Sequence, residues 1–125
     1  MRKNTYLTGQ AGEEAAAAYL IAKGYRIIER DYRFGHIDID IIACDRHGCL
    51  VFTEVKYRAD HSCQHPLQAV DSIKQRRISM AAVQYMTAHG YSFCRPCRFD
   101  VLAFVGSRPM HIENAFSLSF AGVCY

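Results

Sequence analysis

Two short segments of this chain combine charge with strand-like hydrophobicity. Ile37-Asp38-Ile39-Asp40-Ile41-Ile42 alternates apolar and acidic residues, and Thr53-Glu54-Val55-Lys56 sets a glutamate two positions from a lysine in a β-branched run. Alternate side chains of a strand share a face. Ile37, Ile39 and Ile41 are therefore expected on one side, with Asp38 and Asp40 on the other, roughly 6–7 Å apart along the strand. By the same rule Val51, Thr53 and Val55 oppose Glu54 and Lys56. If the two runs pair as a hairpin, Asp40, Glu54 and Lys56 converge. Carboxylates inside such strands need a partner, because an isolated buried charge is costly. Hard oxygen ligands suit Mg²⁺ or Mn²⁺. A lysine beside such a ligand can orient or deprotonate a water, or offset charge on a pentacoordinate phosphorus. That is the layout of metal-assisted phosphodiester hydrolysis. The competing reading is a solvated face of cross-strand ion pairs, each worth ~0.2–1 kcal/mol. On spacing alone this plainer reading is the stronger, because the pattern is short and common by chance.

The elements that must carry these residues are legible. Glu13 to Lys23 reads as an Ala-rich helix with Glu13 and Glu14 in its first turn and Gly24 as its stop. Strand-like runs follow at Tyr25–Arg33, Ile37–Cys44 and Cys49–Tyr57, the last two joined by the polar turn Asp45-Arg46-His47-Gly48. From Leu67 to Ala88, Val70, Ile73, Ile78, Ala81, Ala82 and Tyr85 recur at helical spacing. Arg98–Val105 reads as a buried strand and Met110–Phe116 as a further one. The order α-β-β-β-α-β-(β) favours an α/β architecture, a mixed sheet flanked by helices.

Composition bounds the rest. With 125 residues, 50% hydrophobic and 22% charged, the chain fits one domain and not a disordered segment. Its core is expected over about 9–116, with a short tail at 117–125. Fifteen Lys+Arg against twelve Asp+Glu leave +3, which permits a local nucleic-acid patch without demanding one. Six cysteines fall below the roughly 8–10% of a disulfide scaffold. No apolar core follows the basic N-terminus, and no run approaches the ~20 residues needed to span a bilayer. A cytoplasmic protein with free thiols and no membrane partner is expected.

Several motifs agree at once with one family. Gly12-Glu13 with Ala16 and Tyr19-Leu20, Gly24-Tyr25, Asp38-Ile39-Asp40-Ile41-Ile42-Ala43, Val51 to Arg58, Val70-Asp71 with Lys74, and Arg98-Phe99-Asp100 resemble, in order, the YraN family of small bacterial proteins. Ile112–Phe116 resembles its closing strand. The resemblance implies a restriction-endonuclease-like three-layer sandwich, related to Holliday-junction resolvases and the wider PD-(D/E)-x-K nucleases. It further implies Asp40 and Glu54 as metal ligands, Lys56 as the catalytic lysine, the Val55 backbone carbonyl as a further ligand and Glu13 as the acidic residue completing the site. Family members often read Gly-Glu-Ile-Asp-Leu-Ile where this chain has Ile37–Ile42. A register that sets Gly35-His36-Ile37-Asp38 against that motif makes Asp38 the alternative ligand. Asp40 is preferred because Ile41-Ile42-Ala43 then also agrees.

Each feature has a plainer account beside it. A first-turn Glu13 is worth ~0.3–1 kcal/mol against the helix dipole without further role. Lys74, Arg76 and Arg77, joined by Arg58, are either a solvated face or phosphate contacts whose binding weakens with salt. Cys94-Arg95-Pro96-Cys97 with Cys63 and His65 offers a tetrahedral zinc set, though one C-x-x-C is a weak signal. His61 and His65 fall in an expected loop after the Glu-x-Lys strand, where exposure alone accounts for them. The leading expectation is a Mg²⁺- or Mn²⁺-dependent nuclease acting on nucleic acid, DNA ahead of RNA, with branched or processed DNA as the narrower expectation. The alternatives are a non-catalytic nucleic-acid-binding module of the same fold and a zinc-stabilised interaction protein. Resolvase-like enzymes tend to pair because a junction offers two symmetric strands, so a homodimer is allowed for, yet no motif here specifies an interface.

Overall fold

The computed structural model describes the backbone of residues 5–58, 70–92, 95–120 and 123–124, with side chains over 11–57, 70–92 and 95–118. The element order is α1 (Thr5–Ala22), β1 (Arg26–Phe34), β2 (Ile37–Cys44), β3 (Leu50–Arg58), α2 (Ser72–Ala88), β4 (Cys97–Val105) and β5 (Arg108–Phe116). Two-residue strands β6 (Ser119–Phe120) and β7 (Val123–Cys124) pair where the sequence suggests only a tail. The five long strands lie in sequence order, antiparallel except for the parallel β3–β4 pair. A parallel pair needs a crossover, and α2 supplies it.

One helix covers each face of the sheet. Ala16, Ala17 and Leu20 of α1 bury against Ile41, Ala43, Val51, Leu102 and Phe104. Ile78, Ala81, Ala82, Tyr85 and Met86 of α2 bury against Ile39, Ile42, Leu50, Phe52, Phe99 and Val101. The result is an α/β three-layer arrangement with a mixed sheet. No helix among the described residues is long and apolar enough to cross a membrane.

Three local expectations change. Helix α1 begins at Thr5, so Glu13 and Glu14 lie at mid-helix and the first-turn dipole account of Glu13 no longer applies. Gly12 allows this helix its position, because a Cβ there would sit 3.3 Å from Tyr57 Cβ on β3. At its far end Gly24 adopts φ 94°, with Tyr25 N–H donating to Leu20 O and Gly24 N–H to Ile21 O, the paired bonds of a left-handed helix stop. Helix α2 starts after Asp71, whose carboxylate accepts from Lys74 N–H at 2.9 Å. Ile73, expected in the core, is instead 56% exposed on the first turn of α2. The start of the predicted helix, residues 67–69, lies outside the described residues.

The third change bears on the site. Strict alternation puts Ile37, Ile39 and Ile41 on one face, yet Ile37 and Ile39 pack beneath α2 whereas Ile41 packs beneath α1. The strand turns over at Asp40. Its neighbour across β1 explains the turn: Arg30 pairs with Ile41 and Tyr32 with Ile39, so Asp31 stands opposite Asp40, and Asp31 has φ 54°. A left-handed residue within a strand rotates the chain, and aspartate is among the few that tolerate it.

Candidate metal and phosphate site

At Asp40 the sheet also opens. The β2–β3 ladder runs from Cys44↔Leu50 to Ile41↔Thr53 and stops there, one residue short of Asp40 and Glu54. Beyond that point the Asp40 side chain takes over a backbone role, its Oδ2 accepting Val55 N–H at 2.8 Å. The two acidic strands are thus held together by a carboxylate, which faces the gap between them.

On the α1 side of the gap, carboxylate oxygens of Glu13, Asp31 and Asp40 all lie within 4.8 Å of one another. Like charges this close disfavour ionisation. Asp40 is pushed up to about 7, first by burial and then by the charge of Glu54, with the Val55 N–H pulling only part of the way back. Glu13 is raised as well, by burial and then by Asp31, although Arg30 opposes the shift. The donors are all hard oxygens. The set fits a divalent cation such as Mg²⁺ or Mn²⁺ and is poorly suited to soft metals.

On the α2 side, Glu54 is buried and its Oε2 meets two ammonium groups, Lys56 Nζ at 3.2 Å and Lys74 Nζ at 2.7 Å. Lys56 rises from the same strand, whereas Lys74 reaches down from the first turn of α2. Burial works against the charge on Lys74, but the Glu54 carboxylate outweighs it and keeps the ammonium above its ordinary range. Next to this group lies an open cleft of about 400 Å³ between the β1–β2 hairpin tip and the start of α2. Its lining includes His36, Asp38, Ile73, Lys74 and Arg77.

Residues 12–104 match the sequence profile described as "Uncharacterised protein family UPF0102". The chain belongs to that family. A UPF0102 protein of Trichlorobacter lovleyi is 41% identical over 123 residues, spanning 94% of this chain and 96% of that one. A second, from Chlorobium phaeobacteroides strain BS1, is 44% identical over 119 residues, with 86% and 92% covered. Among solved structures, a repair endonuclease from Pyrococcus abyssi is similar at TM-score 0.41 and 15% identity, over 84% of this chain and 40% of that one. Pyrococcus furiosus SfsA, solved in complex with Ca²⁺, is similar at TM-score 0.37 and 16% identity, over 88% and 64%. Likenesses this distant carry no argument about activity.

Within this UPF0102 chain, then, Asp40 sits at the gap between the strands, Glu54, Lys56 and Lys74 meet on one side of it, and Glu13 joins Asp40 on the other. Asp38 is exposed, opposite Arg33, on the wall of the cleft. Arg76 and Arg77 are exposed on α2, and only Arg77 lines the cleft. Arg58 ends β3, but its side chain lies outside the described residues, as do Cys63, His61, His65 and Cys94. Cys97 is half-buried at the start of β4, beside Leu50 of β3, and its thiol is raised by burial and then by Cys49.

Sequence reasoning missed Asp31, which stands in a strand of mixed character. A usable signal was present. Gly35-His36 makes a two-residue turn, with Phe34 opposite Ile37, and counting back three positions on each strand brings Asp31 to Asp40.

A second polar cluster ties the α1 side together. Asp100 is fully buried and accepts from Arg98 Nε at 3.0 Å, from Asn114 N–H at 2.9 Å and from His111 Nε2 at 2.8 Å. Burial alone would raise its pKa, but those donors outweigh it and hold the carboxyl low. Arg98 also donates to Asp45 Oδ2 at 2.7 Å and to the Tyr25 hydroxyl. Each charged group named here has a close partner among the described residues, so the cluster reads as a brace.

Proposed function

We propose that this protein is a metal-dependent nuclease that hydrolyses phosphodiester bonds in DNA. The observation that supports this most is the parting of β2 and β3 at Asp40, which leaves a carboxylate cluster on one side and a Glu54–Lys56–Lys74 group on the other. Asp40 and Glu54 would hold Mg²⁺ or Mn²⁺, with Glu13 and the Val55 carbonyl completing the shell and Asp38 its exposed neighbour. The bound cation supplies a Lewis acid for the phosphoryl oxygen and a more acidic water.

The chain's own residues do the rest. Hydrolysis forms a bond from water oxygen to phosphorus, breaks the bond to the leaving oxygen, and moves one proton off the water and one onto the leaving group. Lys56 stands where negative charge grows on the phosphorus, with Glu54 fixing its ammonium. Asp40, pushed up to about 7 by burial and the charge of Glu54 in the metal-free site, would give up that proton on taking the cation, and the attacking water's proton would pass to solvent. Arg77 lines the cleft and would meet a phosphate of the strand, and Arg76 and Arg58 are proposed as further phosphate contacts.

A second reading has one observation in its favour. Glu54 already has two ammonium partners, as a site does when it has kept its charges for binding alone. A panel separates the two readings: labelled duplex, single strand, flap, four-way junction and RNA, with Mn²⁺, Mg²⁺ or EDTA. Metal-dependent cutting lost in both Glu54→Ala and Lys56→Ala is the expected result, and the substrate cut names the specificity. Salt-sensitive binding without cutting, unchanged by Glu54→Ala, would leave the binding module standing instead.

A further inference from the structure

Lys74 occupies an unusual position for a residue at a helix start. Asp71 fixes its backbone N–H at 2.9 Å, so the base of the side chain is rigid while its four-carbon stem is free to choose a direction. In one direction lies Glu54, with Nζ 2.7 Å from Oε2. In the other lies the cleft that Lys74 shares with Arg77, His36 and Ile73. Lys56 has no such choice, since it stands two residues from Glu54 on the same strand and is the less exposed of the two, at 28% against 38%.

Both lysines hold Oε2 of Glu54, the carboxylate proposed above as a ligand of the divalent cation. A divalent cation there would be a third positive centre on a carboxylate that already holds two ammonium groups, and its double charge repels both far more than they repel each other. One ammonium has to withdraw, and Lys74 is the one with somewhere to go. Its way out leads to Arg77, one helical turn further along the same face of α2. Together they form a bidentate place for one phosphate of a strand crossing the cleft. Ile73, 56% exposed on the same wall, offers an apolar surface to the adjoining sugar and base.

We propose that Lys74 is an exchangeable cation. It neutralises Glu54 while the site is metal-free, and it moves to a substrate phosphate in the cleft once a divalent cation takes its place. This rests on the nuclease reading and adds two consequences to it. Lys74 opposes metal binding in the absence of DNA, and it makes metal binding and phosphodiester binding cooperative. By linkage the coupling is reciprocal, so the cation must raise affinity for DNA as much as DNA raises affinity for the cation.

The test needs no cleavage. Titration calorimetry with Mn²⁺ on wild type, Lys74→Met and Glu54→Gln, without DNA, measures the competition. Fluorescence anisotropy of a labelled junction with and without Ca²⁺ measures the coupling. Lys74→Met is expected to bind Mn²⁺ about tenfold tighter than wild type, within the usual range for adjacent sites. It should also lose the gain in DNA affinity that Ca²⁺ gives wild type, and Lys74→Arg should restore that gain. Tightening without loss of the gain overturns the phosphate half of the proposal. Equal or weaker Mn²⁺ binding by Lys74→Met, with Glu54→Gln weakened, overturns the exchange and leaves the nuclease reading intact. Equal Mn²⁺ binding by wild type and Glu54→Gln removes both, because Glu54 is then no ligand.

Discussion

Asp40 does three things with one carboxylate. It replaces a ladder hydrogen bond to Val55, faces the gap between two strands, and holds its proton to about pH 7. The sign of its effect on stability follows. The folded chain keeps this proton up to about 7, whereas the unfolded chain releases it near the ordinary aspartate value of ~3.9. Folding therefore takes up a proton across that window, and Asp40 erodes stability as pH rises through it. Thermal unfolding in EDTA should show a melting temperature that falls from pH 5 to pH 8 in wild type and falls less in Asp40→Asn. Adding Mn²⁺ at pH 8 should recover it, since a ligand that binds only the folded state stabilises it. Identical slopes in the two proteins would contradict the assignment.

Asp31 belongs to the same scale. Its φ of 54° is affordable for aspartate and free for glycine, but not for a β-branched residue. Asp31→Gly should preserve the melting temperature within a few degrees, and Asp31→Val should lower stability by ~1–3 kcal/mol in urea denaturation. A tolerated valine would mean that the turn at Asp40 has another cause. The two residues also mark what can be read from a linear chain. Asp40, Glu54 and Lys56 stand out because charges interrupt apolar strands. Asp31 sits among Arg30, Tyr32 and Arg33, and what distinguishes it is a backbone angle and a neighbour across the sheet.

At the scale of elements, strand identities were legible because β-branched runs and turn residues are local signals. Ile37–Cys44 is bounded in the structure as its sequence suggests. The start of α1 was not legible, because the stretch from Thr5 to Gly12 carries neither a run of apolar residues nor a clear cap, and its helicity comes from continuity with the Ala-rich part. Nor was the place of Lys74. Its motif suggested a DNA contact, but its pairing with Glu54 depends on how the start of α2 is set over the sheet. Gly12 sets the corresponding depth for α1. Gly12→Val should force the helix away from Tyr57 and cost ~1–3 kcal/mol. Because Glu13 moves with the helix, Mn²⁺ affinity should fall in the folded variant as well, which calorimetry can read. Unchanged affinity would argue that Glu13 takes no part in the site.

For the molecule as a whole, two groups of carboxylates pull stability in opposite directions with pH. Asp45 and Asp100 are held low by Arg98 and backbone donors that outweigh their burial. A depressed carboxylate contributes above its unfolded pKa of ~3.9 and loses that contribution as pH falls. Asp40 acts at the other end of the range. Metal-free protein should therefore be most stable in mildly acid solution, with the acid limb set by the brace and the neutral limb by the site. Asp100→Ala, which leaves Arg98 Nε, His111 Nε2 and the Asn114 N–H without their shared acceptor, should cost ~1–3 kcal/mol and flatten the acid limb in denaturation at pH 3 against pH 5, while leaving the neutral limb in place. This brace was foreshadowed only as the Arg98-Phe99-Asp100 motif, since His111 and Asn114 come from the next strand.

The left-handed residue at Asp31 has a counterpart. β1 and β5 are the two outer strands of the sheet. Each is interrupted by one non-glycine residue with positive φ, Asp31 at 54° and Asn114 at 55°. The β1–β2 and β4–β5 ladders also each shift register once. An outer strand with an unbroken row of amide and carbonyl groups is a template on which a foreign strand can grow. Neither border of this sheet offers such a row, and β1 adds Arg26, Glu29, Arg30 and Arg33 along its length. The twist that turns a third acid toward Asp40 thus also breaks one of the rows on which fibril-like stacking would grow.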